Sequence, residues 1–245
     1  MIRRYQTQEI AAIFSEEYKF KKWLLVERMV AKVEEQEGII PKGLSRKLPK
    51  ITVRPERVEE IERITNHDVI AFLEAVKEKL GTEGRWLHFG LTSYDLVDTA
   101  LVLMIIEGID IIQHEMKKLL KVLHQLARRY KATAQMGRTH GMFAQPITFG
   151  YKVLSWYEEI KRACARLAIA RKEIAYGKLS GAVGTYTMLP LKIERKVMQR
   201  LGLKPEPVST QVLPRDRFAF LLSSLVLYSC GLERIATEIR HLSRS

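Results

Sequence analysis

With 245 residues, 47% of them apolar, the chain is long enough for one large or two modest domains and too hydrophobic to stay disordered. A formal net charge of +13 points to anionic partners, either nucleic acid or small anionic molecules, or else to a solvated basic face. No basic run is interleaved with aromatics and no nucleic-acid motif occurs, so nucleic acid is the unfavoured partner.

The N-terminus, Met-Ile-Arg-Arg-Tyr, has no apolar run of the kind a secretory signal needs. No window approaches the ~20 apolar residues of a membrane span; the best, residues 100–106, stops at Glu107, and no membrane partner is expected. Cys164 and Cys230 sit in helical patterns without metal or redox spacing and read as reduced, buried thiols of a cytoplasmic protein.

Ser15 followed by Glu16 and Glu17 predicts a helix start. Tyr18, Trp23, Val26, Val30 and Val33 then recur at helical spacing until Gly38 and Pro41. Residues 38–54 read as loop, and Pro55 opens a second helix with Val58, Ile61 and Ile64 on one stripe. Thr65 with Asp68 three residues on reads as a new cap, placing His67 in the first turn of a third helix that ends at Gly81. Residues 1–84 therefore read as a small N-terminal helical domain.

Thr92 with Asp95 is a further capping signature, and the pattern behind it runs to about Tyr130, a rod of roughly 55 Å. Residues 136–150 carry Gly137, Arg138, Thr139, His140 and Gly141, read as a polar, glycine-hinged link. Pro146 is expected to open the second long helix, which closes at Gly177. A glycine-rich turn at 177–185, a short helix at 192–201 and a loop at 204–213 follow. Pro214 opens a third long pattern with no terminator through Ser245, so the chain reads as the N-terminal portion of a longer protein. With no β-alternating segment, the expected fold is all-α, with residues 85–245 forming an elongated bundle of long helices, truncated within the bundle.

Each chemistry-bearing residue has a plainer reading beside the functional one. Thr92 and Ser93 stand at a helix start where hydroxyls and unpaired N–H groups suit a carboxylate, or Thr92 merely caps. His140 suits acid–base work, or is a loop histidine bonded to backbone carbonyls. His67 in a helix start favours a neutral hydrogen-bonding role. His88 either orients a ligand or satisfies its loop, and Thr210 with Gln211 offers uncharged hydrogen-bonding groups near a helix start.

The segments Asn66-His67-Asp68-Val69, Gly90-Leu91-Thr92-Ser93-Tyr94-Asp95, Gly137 to Gly141, Ser180 to Thr185 and Ser209-Thr210-Gln211 occur in that order. Together with Arg4-Tyr5 and Arg215-Asp216-Arg217, this set resembles the adenylosuccinate lyase family of the fumarase/aspartase superfamily, over nearly the whole chain. The resemblance implies a β-elimination that releases fumarate from adenylosuccinate and from succinylaminoimidazole carboxamide ribotide in AMP and purine biosynthesis. It implies His140 as general acid, His67 assisting at the phosphate or acid side, and Thr92 and Ser93 on the carboxylate. Asn66, Asp68, His88 and Thr139 would line the substrate, while Arg4, Tyr5 and Gln211 would hold its nucleotide portion.

No cofactor and no metal are implied; the partners are an anionic nucleotide substrate and the other subunits of a homotetramer with shared active sites. In that family a flexible loop bearing the base serine follows the third long helix. This sequence ends before it, and the 245-residue chain alone is expected to be inactive. Argininosuccinate lyase or a fumarase-like enzyme is the nearest alternative, and an oligomerising, nucleotide-binding fragment the next. Spacing adds one expectation of its own. Thr92 begins the first long helix and His140 lies beyond its far end, on the order of 50 Å away in one chain.

Overall fold

The structure, a computed structural model, describes residues 2–244. Its elements in chain order are α1 (Gln8–Ile13), α2 (Glu16–Gln36), α3 (Leu44–Lys47), α4 (Pro55–Thr65), α5 (Asp68–Lys77), α6 (Ser93–Arg129), β1 (Ala134–Thr139), β2 (Met142–Thr148), α7 (Phe149–Ile174), β3 (Tyr176–Gly177), α8 (Leu191–Leu201), β4 (Lys204–Pro205) and α9 (Asp216–Leu242). Helix dominates, as the pattern predicted. Contacts divide the chain into two compact units, residues 1–108 with 174–215 and residues 109–173 with 216–245, so the cut falls inside α6.

In the first unit α2 starts where expected: the Ser15 hydroxyl accepts from the Tyr18 N–H at 3.2 Å, with Glu16 and Glu17 in the first turn. Its buried stripe is Phe20, Trp23, Val26, Glu27, Val30, Val33 and Glu34. Phe72 of α5 closes on that stripe, stacked on Phe20 with ring centres 5.6 Å apart and edge-on to Trp23 at 5.1 Å. Residues 38–54 are not all loop. They fold into α3 and a 3-10 turn at Leu48–Lys50, because the Glu35 carboxylate accepts from the Gly43 and Ser45 N–H groups and the Ser45 hydroxyl.

The cap of α5 also differs from expectation. Thr65 is the last residue of α4 and gives its hydroxyl to the His67 carbonyl, while the His67 ring itself caps α5. The reason is Asn66, which takes the left-handed conformation at φ 52° and ends α4 one residue later than a Thr65 cap allows. Helix α8 lays Ile193, Val197 and Met198 inward, and β3 and β4 pair in parallel.

The second unit is built on the C-terminal part of α6 with α7 and α9. Its core is Leu123, Ala127, Val153, Trp156, Ile160 and Ile235. Between α6 and α7 the chain is a β-hairpin rather than a helical link, with Thr139 opposite Met142. Pro146 therefore lies within β2, opposite Met136, and α7 begins at Phe149 after the Thr148 hydroxyl accepts from the Tyr151 N–H. A two-stranded ribbon tolerates proline because its outer edge needs no N–H donor. A bulge between Met136 and Arg138 accommodates Gly137, where any side chain would collide with the Gln145 carbonyl oxygen.

Two other expectations are corrected here. Cys230 is exposed and Cys164 half-buried, both as free thiols. Helix α9 is long and apolar enough to span a bilayer by length and composition, with mean hydropathy 1.4 over its best window. Counting uninterrupted apolar runs missed it, because Ser223, Ser224, Ser229 and Gly231 break the runs without adding charge. In this unit α9 turns Leu221, Ser224, Gly231 and Ile235 inward and leaves Leu222, Val226, Leu227 and Ile239 exposed.

Candidate active site

The start of α6 gathers most of the motifs singled out in the sequence. Asp95, fully buried, accepts from the Thr92 N–H at 3.0 Å, from the Gly181 N–H at 3.2 Å and from the Lys178 ammonium. Lys178 is itself fully buried and also donates to the Gly181 carbonyl at 3.2 Å. One turn on, the Thr99 hydroxyl both donates to the Lys178 carbonyl and accepts from the Lys178 N–H. Asp98 accepts from the Leu213 N–H at 2.8 Å and from the Arg215 guanidinium at 3.1 Å.

Asp95, Asp98 and Thr99 share one face of α6 through i, i+3, i+4 spacing. That face pins both the 178–185 loop and the loop preceding α9. The two loops meet where Ser180 and Ser209 share a hydrogen bond of 2.7 Å between their hydroxyls. A side chain at Gly184 would strike the Ser209 carbonyl oxygen, so only glycine lets these backbones approach.

His67 joins the same place. Its Nδ1 accepts from the Ile70 N–H at 3.4 Å, which leaves the ring proton on Nε2, and Nε2 stands 3.5 Å from the Ser93 hydroxyl. Asp68 also lies 3.4 Å from Nδ1, but its carboxylate is already engaged by the Val69 N–H at 2.7 Å. His88 is held differently. Glu27, 2% exposed at its side chain, accepts from the His88 backbone N–H at 3.1 Å and meets Nδ1 at 2.5 Å. That double grip holds His88 at φ 63° and directs its Nε2 away from the carboxylate.

Arg4 and Tyr5 lie in a 3-10 turn at Arg3–Tyr5, exposed, with the guanidinium 4.9 Å over the ring. Gln211 is exposed on the loop that Asp98 anchors. Thr139 and His140 belong to the second unit, at the tip of the β1–β2 hairpin. His140 at φ 53° and Gly141 at φ 74° form the two-residue turn that strand twist selects. Three of the four non-glycine residues with positive φ among the described residues, Asn66, His88 and His140, are thus candidate site residues. Such conformations persist where surroundings over-determine them, a pattern common at functional sites.

The structure therefore brings His67, Thr92, Ser93, the 180–185 loop and the Ser209–Gln211 stretch together. Sequence reasoning missed Glu27 and Lys178, and it took Asp95 for a cap alone. For Glu27, a lone acid inside the apolar stripe of α2 was the available signal; Lys178, in a loop after β3, offered none. Among the described residues no group of three His, Cys, Asp or Glu side chains converges as a metal site would.

The buried charge of this helix-rich chain is spent on fixing hydroxyl- and histidine-bearing loops at one helix start. The protein belongs to the lyase family, whose model matches residues 3–245. The chain is similar to the adenylosuccinate lyases of Thermotoga maritima, at 48% identity over all of this chain, and of Aquifex aeolicus, at 47%. It spans 57% of the length of each. Among solved structures it resembles a fumarate lyase from Mesorhizobium sp. BNC1, with 28% identity and a TM-score of 0.91 over 96% of this chain and 57% of that one. A 3-carboxy-cis,cis-muconate lactonizing enzyme from Pseudomonas putida shares the fold, with a TM-score of 0.91 at 23% identity over 98% of this chain and 57% of that one.

Proposed function

We propose that the full-length protein is an adenylosuccinate lyase, releasing fumarate from adenylosuccinate and from succinylaminoimidazole carboxamide ribotide in purine biosynthesis. The convergence of His67, Ser93, the 180–185 loop and Ser209 at the start of α6 carries the reading, in a chain 48% identical to a protein of that name.

The elimination removes a proton next to a carboxylate, so the intermediate gathers negative charge on that carboxylate. Ser93, whose oxygen faces the His67 Nε2–H, keeps its own O–H to donate, and the first-turn N–H groups of α6 add to it. Asn66, Asp68 and His88 would flank the substrate, with Arg4, Tyr5 and Gln211 on its nucleotide portion. His140, beside Thr139 on an exposed turn, would protonate the departing nitrogen. The base falls to a part of the protein outside this chain, and residues 1–245 alone are expected to bind but not turn over.

Helix α6 is unbroken over 37 residues, so its ends lie on the order of 55 Å apart. Thr92 precedes its start and His140 follows its end. A site using both needs neighbouring subunits packed antiparallel, which supports shared sites in an oligomer such as the homotetramer that the family resemblance implies. Exposed apolar side chains on α7 and α9, among them Tyr151, Leu154, Leu222 and Val226, suit such packing.

The test is loss of adenylosuccinate absorbance with the full-length protein, where His140→Gln should lower kcat by about 100-fold or more. Mixing inactive His140→Gln and Ser93→Ala subunits should restore part of the activity if sites are shared. Turnover of argininosuccinate or malate instead, or undiminished activity in His140→Gln, would overturn the assignment.

A further inference from the structure

The outer face of α2 carries a feature that the lyase chemistry does not use. Arg28, Lys32, Glu35 and Gln36 follow one another at helical spacing, and with Lys42, Ser45, Arg46 and Pro49 they line an open cavity of about 570 Å³. None of the four cations has a carboxylate within ion-pair distance among the described residues, although most other basic residues of α2 and α8 are paired. Arg28 and Lys32, one turn apart on α2, carry like charges that repel each other. The Arg28 Nε–H is buried and lacks any hydrogen-bond acceptor.

The one acid in the cavity, Glu35, is committed elsewhere. Both of its oxygens hold the Gly43–Ser45 turn, which fixes Lys42 and Arg46 opposite α2 before any ligand arrives. On the other side of Arg28 and Pro49 lies a second cavity of about 550 Å³. Its wall is largely apolar, with Leu24, Leu25, Leu48, Ile51 and Val53, and Glu17, Lys21, Lys22 and Thr52 complete the lining. A cation-lined hollow and an apolar hollow thus share an arginine whose donor is unmet.

We propose that these paired cavities bind a small organic phosphate. The phosphate would rest among Arg28, Lys32, Lys42 and Arg46, and a flat or apolar body would lie against Leu24, Leu25 and Ile51. Phosphate is favoured over a carboxylate because two arginine forks and two lysines match a dianion with three acceptor oxygens. The volume suits a small molecule rather than a polymer track. The proposal is independent of the active-site reading, since none of these residues serves the elimination.

The probe is 1-naphthyl phosphate, followed by amide NMR shifts in the full-length protein, with inorganic phosphate, 1-naphthol and sodium chloride of equal ionic strength as separate arms. Naphthyl phosphate should shift amides across residues 24–36 and 42–53 in a saturable way, with inorganic phosphate moving the 28–46 set and binding more weakly. Arg28→Ala with Lys32→Ala should weaken the response about tenfold or more. The loop variant Lys42→Gln with Arg46→Gln, which leaves α2 intact, should weaken it by about threefold or more. Shifts reproduced by sodium chloride, unchanged in both double variants, or centred on Ser93 would overturn the site. An oligonucleotide that binds more tightly, with a footprint running past these cavities, would overturn it too.

Discussion

One helix, α6, is buried in two different ways along its length. In the first unit it turns Asp95, Asp98 and Thr99 inward, each at most 1% exposed, and every one is matched by a named donor or acceptor from the 178–185 or 209–215 loops. In the second unit it buries Met116, and it turns Leu123 and Ala127 against Trp156, Ile160 and Ile235 of α7 and α9. The ion pairs there lie at the periphery, as in Arg171–Asp110, Lys152–Glu238 and Arg234–Glu159. Apolar packing is tolerant of small shifts and supplies stability without fixing loops. A buried, fully matched polar set constrains position, and it fails sharply when one member is lost. The candidate site lies in the half where position is constrained.

The largest expected effect tests that contrast directly. Asp95→Ala leaves the Lys178 ammonium buried without its partner and should cost about 3–5 kcal/mol in chemical unfolding. Ile160→Val in the second unit should cost only about 0.5–1.5 kcal/mol. Replacing both charges, as Asp95→Leu with Lys178→Met, should recover most of the Asp95→Ala loss, because an apolar substitute of similar volume often equals a buried ion pair. Equal, mild losses for Asp95→Ala and Ile160→Val would mean that water reaches Lys178, and the contrast between the two halves of α6 would collapse.

What the sequence disclosed follows the same division. Features set by local periodicity were legible: the Ser15 cap, the proline start of α4, the full run of α6 and the Thr92–Asp95 link. The β1–β2 hairpin was not, since most of its residues are exposed on both faces and the Gly137 bulge breaks the alternation that would mark strands. Nor was the role of Glu27, which meets His88 from 61 residues away, or that of Lys178, 83 residues from Asp95. No local spacing encodes pairings of that length. The site residues could be nominated from their chemistry, but the groups that hold them in place emerged only from tertiary contacts.

A second, smaller effect concerns an unmatched acid in the first unit. Glu34 is 1% exposed with one carboxylate oxygen unpartnered, and burial first, then the nearby Glu27 and Glu35 charges, raises its pKa to about 8. The folded form therefore binds a proton that the unfolded chain releases above about 4.5. Stability is fullest below that pH and falls as pH rises through 8. At about 1.4 kcal/mol per unit of difference, the decline by pH 7 is on the order of 3 kcal/mol. Glu34→Gln should flatten the dependence of unfolding free energy on pH between 5 and 8. An unchanged slope in that variant would show that the apolar stripe of α2 is not the source of the penalty, and that an acid can sit there without a matched partner.

The smallest effect lies at the rim of the second unit. Arg171 donates to both oxygens of Asp110 at 2.5 and 2.8 Å, and that hydrogen bonding raises the guanidinium pKa. Both side chains are more than a third open to solvent. Good fork geometry argues for a measurable contribution, but exposure and side-chain entropy argue for a small one. A double-mutant cycle on Arg171→Ala and Asp110→Ala should give a coupling of about 0.2–1 kcal/mol, shrinking at 1 M salt. A coupling above about 2 kcal/mol that survives salt would place this outer pair on the same footing as Asp95 with Lys178. The two halves of α6 would then differ in where their charges lie, but not in how much each charge pair matters.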